Sequence, residues 1–84
     1  MYEVYIEKAA ERDLKKIPAA DFERITPHLK GLAEDARPIG SRKISGSERD
    51  WRIRVGTYRI IYELNEKEKT VKIFRVRHRR EAYR

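Results

Sequence analysis

Arg52, Arg54 and Arg59 are the residues of this chain whose type and spacing most directly suggest chemistry. They sit in Trp51-Arg-Ile-Arg-Val-Gly-Thr-Tyr-Arg-Ile-Ile-Tyr-Glu-Leu64, where apolar and basic residues alternate as they do in a strand with one buried face. Gly56-Thr57 suits a two-residue turn with Gly first, as type II′ requires. That turn fixes a register in which Val55 faces Tyr58, Arg54 faces Arg59, Ile53 faces Ile60, Arg52 faces Ile61 and Trp51 faces Tyr62. One face then presents Trp51, Ile53, Val55, Tyr58, Ile60, Tyr62 and Leu64 to a core, and the other carries the three guanidiniums. Like charges directly opposed across a sheet are destabilising, so a face that accepts Arg54 against Arg59 is expected to meet an anion such as phosphate. The plainer alternative is a solvated basic face with Glu63 as local relief.

A second basic cluster closes the chain. Arg75-Val-Arg-His-Arg-Arg-Glu-Ala-Tyr-Arg84 holds five arginines, one histidine and one tyrosine, which supplies a titrating group and a stacking surface as well as charge. A plain basic tail that holds nucleic acid without reading it is the competing interpretation.

If the anion is RNA, the 2′-hydroxyl beside each phosphodiester offers a route to cleavage. That route needs in-line attack, removal of a proton, stabilisation of a crowded phosphorane and protonation of the leaving 5′-oxygen. Guanidiniums suit the charge stabilisation, being planar, always charged and bidentate toward phosphate oxygens. They are poor bases near neutrality. The residues by themselves leave the base open.

The elements that must position these groups follow from periodicity. Residues 2–6 alternate as a first strand, and residues 8–17 repeat Ala10, Leu14 and Ile17 at helical spacing. Pro18 ends that helix. A second helix is expected over residues 19–35 with Phe22, Ile25, Leu29, Leu32 and Ala33 as its stripe, kinked or restarted at Pro27 with Thr26 as cap. Arg37-Pro38-Ile39-Gly40 turns the chain back toward a sheet. A short strand over residues 41–44, the hairpin, and a last strand over residues 70–77 complete a βααββββ order. Helices grouped apart from strands predict an α+β fold, with a helical hairpin packed on one face of a mostly antiparallel sheet.

Composition bounds the rest. At 84 residues the chain supports one domain, residues 1–84, with one modest core. A formal charge of +7 with 42% charged residues favours a polyanionic partner. No long apolar run marks a signal or membrane segment, so a soluble, cytoplasmic protein with no membrane partner is expected. There are no cysteines, and His28 and His78 are isolated, so neither a metal site nor a cofactor is expected. His28 reads as a packing or capping residue and Trp51 as a core anchor.

Four segments together resemble the RelE/ParE superfamily of small type II toxins: Leu32-Ala-Glu-Asp-Ala-Arg-Pro38, Arg42-Lys-Ile-Ser-Gly46, the hairpin, and Val76-Arg-His-Arg-Arg-Glu-Ala-Tyr83. Arg59 and the ending from His78 to Tyr83 are similar to the RelE branch, ribosome-dependent mRNA endonucleases, more than to the gyrase-inhibiting ParE branch. The resemblance implies a catalytic set of Arg52, Arg54, Arg59, Arg79 and Tyr83. In it Arg59 stabilises the transition state, Arg79 protonates the leaving oxygen or clamps the phosphate, and Tyr83 stacks on or orients a base. Lys43, Arg77, His78 and Arg80 are the implied RNA-binding neighbours. Arg52 and Arg54 stand where some members have lysines, one of them proposed as the base, so His78 and Lys43 become candidates for that role. The implied partners are a cognate antitoxin, operator DNA only through that antitoxin, and mRNA in the A site of the small ribosomal subunit. A gyrase inhibitor and a non-catalytic nucleic-acid-binding module are the alternatives.

Overall fold

The computed structural model describes residues 1–82. Their order is β1 (Glu3–Ile6), α1 (Lys8–Lys16), α2 (Ala19–Gly31), β2 (Arg42–Lys43), β3 (Asp50–Val55), β4 (Tyr58–Asn65), β5 (Thr70–His78) and α3 (Arg79–Ala82). The five strands form one sheet in the order β1-β5-β4-β3-β2. Among the described residues the β1 and β5 pair is parallel, and the β2–β3, β3–β4 and β4–β5 pairings are antiparallel. The α+β architecture is the expected one, and the chain adds the short terminal helix α3.

The hairpin register is the one its turn dictates. Trp51 pairs with Tyr62, Ile53 with Ile60, Arg54 with Arg59 and Val55 with Tyr58. Gly56 has φ +60°, the left-handed region that glycine enters without a Cβ penalty. Ile53, Val55, Tyr58, Ile60, Tyr62, Leu64, Val71, Ile73 and Val76 bury one face of the sheet against Ala10, Ile25, Leu29, Leu32 and Ala36. Tyr62 is fully buried, and its hydroxyl donates to the Ala36 carbonyl at 2.7 Å. Burial pushes its phenol up to about 12, partly offset by a hydrogen bond with Ser41.

The helices depart from expectation in three places. Pro27 does not restart α2, which runs unbroken from Ala19 to Gly31. Thr26 does not cap; its hydroxyl donates back to the Phe22 carbonyl at 2.8 Å, so a side chain bonds the helical backbone in the turn that Pro27 deprives of a donor. Phe22 is 43% exposed: a helical stripe specifies a direction, and burial extends only as far as the layer it covers. The helix also closes earlier than residue 35, because Leu32, Ala33 and Glu34 donate to Leu29, Lys30 and Gly31 in tight three-residue steps.

β5 carries the feature that sets the functional face. Tyr62 pairs with Ile73 but Ile61 pairs with Arg75, so Phe74 is an extra residue and the strand bulges there. Strict alternation from Val71 and Ile73 would drive Arg75 and Arg77 into the core. The bulge reverses the phase, and Val76 becomes the buried residue.

Among the described residues no strand flanks the far end of β5 on its outer side, since β1 ends with Ile6 opposite Ile73. Helix α1 covers that edge. Asp13 accepts the Val76 backbone N–H at 2.9 Å, and it takes Arg75 in a fork, Nε at 2.9 Å and Nη2 at 3.1 Å. Burial pushes the Asp13 carboxyl up, but these hydrogen bonds and the charges of Arg75 and Arg77 outweigh it and hold the group below its ordinary value.

Candidate nucleic-acid interface

Residues paired directly across antiparallel strands share a face. Arg54 pairs with Arg59 and Arg59 with Arg77, so three guanidiniums stand in one row on the sheet face that the helices leave uncovered. A second row, two residues along, joins Arg42 to Arg52, Arg52 to Ile61 and Ile61 to Arg75. Rows two residues apart are separated by roughly 6.5–7 Å, a step an extended single strand of nucleic acid can match.

The first row converges on the hairpin turn. Arg54, Gly56, Thr57, Tyr58, Arg59 and Arg79 line a recess of about 70 Å³. Arg79 reaches it because its backbone N–H donates to the Thr57 carbonyl at 2.6 Å, which docks the start of α3 on the turn. A Cβ at Gly56 would lie 2.9 Å from Nη1 of Arg24, so helix α2 brings a further guanidinium to the other side of the same turn. Arg24 pairs with Asp21 at 3.9 Å. Beside Arg59, the Nε of Arg77 is buried without a hydrogen-bond partner. Such a donor costs on the order of 1–3 kcal/mol while unmet.

The expected site residues divide by face. Arg54, Arg59 and Arg79 are brought together at the recess. Arg77 and Arg52 stand in the adjoining positions of the two rows, and Arg80 is exposed on α3. Lys43 pairs with Trp51, which places it on the helix-covered side; Arg42 occupies the arginine face instead. His78 pairs with core-facing Tyr58 and also stands on the helix side. Tyr83 lies outside the described residues. Arg42 and Arg24 were not legible as site residues, because the first depends on where β2 joins the sheet and the second on how α2 crosses the turn. The one local signal for Arg24 is the glycine it approaches.

No titrating base near neutrality lines the recess among the described residues. No group of three or more histidine, aspartate or glutamate side chains is arranged to hold a metal ion among them, and no helix there is long and apolar enough to cross a membrane. The arrangement can hold a phosphodiester and neutralise charge that develops on it.

Residues 4–83 match the model of the ParE toxin of the type II toxin-antitoxin system parDE. The chain belongs to that family, within the RelE/ParE superfamily. Among its relatives is Toxin RelG of Mycobacterium tuberculosis, 32% identical over 87 residues, spanning 99% of this chain and 97% of that one. RelE in the archaeal RelE-RelB complex from Pyrococcus horikoshii superposes with a TM-score of 0.82 at 30% identity, covering 93% of this chain and 94% of its own. The RelBE2 toxin-antitoxin complex of M. tuberculosis gives 0.80 at 28% identity, covering 93% and 98%. Isolated E. coli RelE has the same fold, with a TM-score of 0.80 at 19% identity, covering 93% and 84%.

Proposed function

We propose that this type II toxin is an endoribonuclease that cuts mRNA in the ribosomal A site without a metal, and that a RelB-type antitoxin neutralises it. The convergence of Arg54, Arg59 and Arg79 on one recess carries this reading. Arg59, centred in its row between Arg54 and Arg77, neutralises the phosphorane formed when the 2′-oxygen attacks. Arg79 holds the phosphate at its leaving side and donates a proton toward the 5′-oxygen. Tyr83 stacks on a base of the codon. The flanking row of Arg42 and Arg52 holds a neighbouring phosphate.

Ribosome dependence is supported by the described lining of the recess. Its described lining contains arginines, a glycine, a threonine and a tyrosine, none of which takes a proton readily near neutrality. The ribosome, which holds the mRNA in line and supplies groups of its own, completes the site. Antitoxin capture is supported by the neighbouring toxins that are seen in complex with RelB, and a chain of net charge +7 suits an acidic segment.

The test is cell-free translation with purified protein, mapping mRNA 5′ ends by primer extension beside an Arg59→Ala control of matched thermal stability. Cuts within translated codons that vanish in the control are expected. The match to the ParE family model favours gyrase as the second reading. Intact mRNA with unimpaired translation, alongside inhibited DNA supercoiling, would establish it instead.

A further inference from the structure

His78 sits at the junction between β5 and α3, one residue before Arg79. Its Nδ1 accepts the backbone N–H of Arg80 at 3.2 Å. This is the bond an N-cap side chain makes to the second residue of a helix, and it satisfies one of the amide donors that a helix start leaves without a partner. An amide can only donate, so the Nδ1 lone pair is committed and the proton of the neutral ring resides on Nε2. Neither nitrogen then offers a free lone pair to a 2′-hydroxyl.

The ring is held from behind. It meets Tyr58 edge to face, with centroids 5.4 Å apart and planes at 88°. The Tyr58 hydroxyl donates to Asp21 of α2 at 3.3 Å. From α1, Asp13 and Lys16 line the small cavity of about 120 Å³ beside His78, together with Ile17 and Val76. The same junction carries the Arg79 bond to the Thr57 carbonyl. Two interactions thus fix the first turn of α3, one through the backbone of Arg79 and one through the imidazole.

We propose that His78 is a positioning residue, neither base nor RNA ligand: its Nδ1 caps α3 and so holds Arg79 in the recess with Arg54 and Arg59. The proposal deepens the nuclease reading and rests on it for its activity arm. Asparagine carries an acceptor at the δ position and glutamine only at ε, so the two substitutions separate a cap from any role of Nε2.

The experiment measures His78→Asn, His78→Gln and His78→Ala in the full chain, with two readouts. Amide hydrogen exchange by NMR, compared at Arg80, should accelerate about fivefold in the Gln and Ala variants, the equilibrium factor of one N-cap, and stay near wild type in Asn. Codon-specific cutting in cell-free translation should fall by on the order of tenfold in Gln and Ala, since a displaced catalytic group loses rate steeply. Asn should retain it, with the pH profile of the wild type. An Asn variant as inactive as Ala, a pH limb that disappears in Asn, or Arg80 exchange unchanged in Ala would each overturn the proposal. If wild-type protein cuts nothing, the nuclease reading fails while the exchange measurement still decides the cap.

Discussion

Replacing Asp13 with alanine should unfasten the open edge of β5, and the structure sets the scale of the loss. Asp13 accepts the Val76 backbone N–H at 2.9 Å, and Val76 is 2% exposed. An unmet buried amide costs roughly 1–3 kcal/mol. The forked bond to Arg75 adds less, because that side chain is 39% exposed and solvent discounts such a pair to about 0.5–1 kcal/mol. Asp13→Ala should therefore lose about 2–3 kcal/mol at pH 7. For a domain of this size that lowers Tm by roughly 10–20 °C. The assay is thermal unfolding followed by circular dichroism, repeated over a pH series. The folded Asp13 carboxyl lies below its ordinary value, so the unfolded chain binds the extra proton and stability rises with pH across the window. The gap between wild type and variant should be constant above about pH 5 and narrow, without closing, as pH falls below about 3.9, because a protonated carboxyl can still accept the Val76 amide. A Tm within about 3 °C of wild type at pH 7, or a gap that widens as pH falls, would refute the edge-fastening argument.

Other perturbations have equally definite outcomes. Arg59→Ala should cut codon-specific cleavage by roughly 10²–10³-fold, the scale for removing one preorganised charge stabiliser, while the circular dichroism spectrum is unchanged. Gly56→Ala should cost about 1–2 kcal/mol in urea unfolding, because φ is +60° at this position and alanine enters the left-handed region only with strain; the displaced Arg24 tip adds little. Pro27→Ala should raise Tm, since Pro27 is exposed within α2 and alanine restores a helical donor, a gain of up to about 3 kcal/mol. Tyr62→Phe should lose about 1–2 kcal/mol near neutrality by stranding the Ala36 carbonyl. With the folded phenol at about 12 against an ordinary 10.0, wild type should lose stability between those two pH values, and the phenylalanine variant should not.

Much of the site was legible because the hairpin is a local structure. A two-residue turn leaves one register, and a period of two leaves one choice of face, so the opposition of Arg54 to Arg59 followed from fourteen consecutive residues. Pro18 likewise marked the break between helices, since Ile17 before it is extended, with ψ 152°. The helix stripe was read well where the sheet lies beneath it, at Ile25, Leu29 and Leu32, and failed at Phe22, where coverage depends on a neighbour.

The sequence by itself determined the classes of element, the buried and basic faces of the hairpin, and a positive charge that calls for an anionic partner. All of these arise from spacing within a few residues and from side-chain type. Tertiary structure alone decided which other basic residues join the hairpin's arginines on the open face and in the recess. The bulge at Phe74 turns Arg75 and Arg77 out of the core, the register of β2 puts Arg42 rather than Lys43 beside Arg52, and the docking of α3 on Thr57 delivers Arg79 to Arg59. Each depends on a hydrogen bond between residues distant in the chain, whose partner is chosen by the packing of the whole domain and leaves no local periodic trace. The same is true of His78, whose Nδ1 accepts the Arg80 amide at the start of α3, a contact that side-chain type alone does not specify.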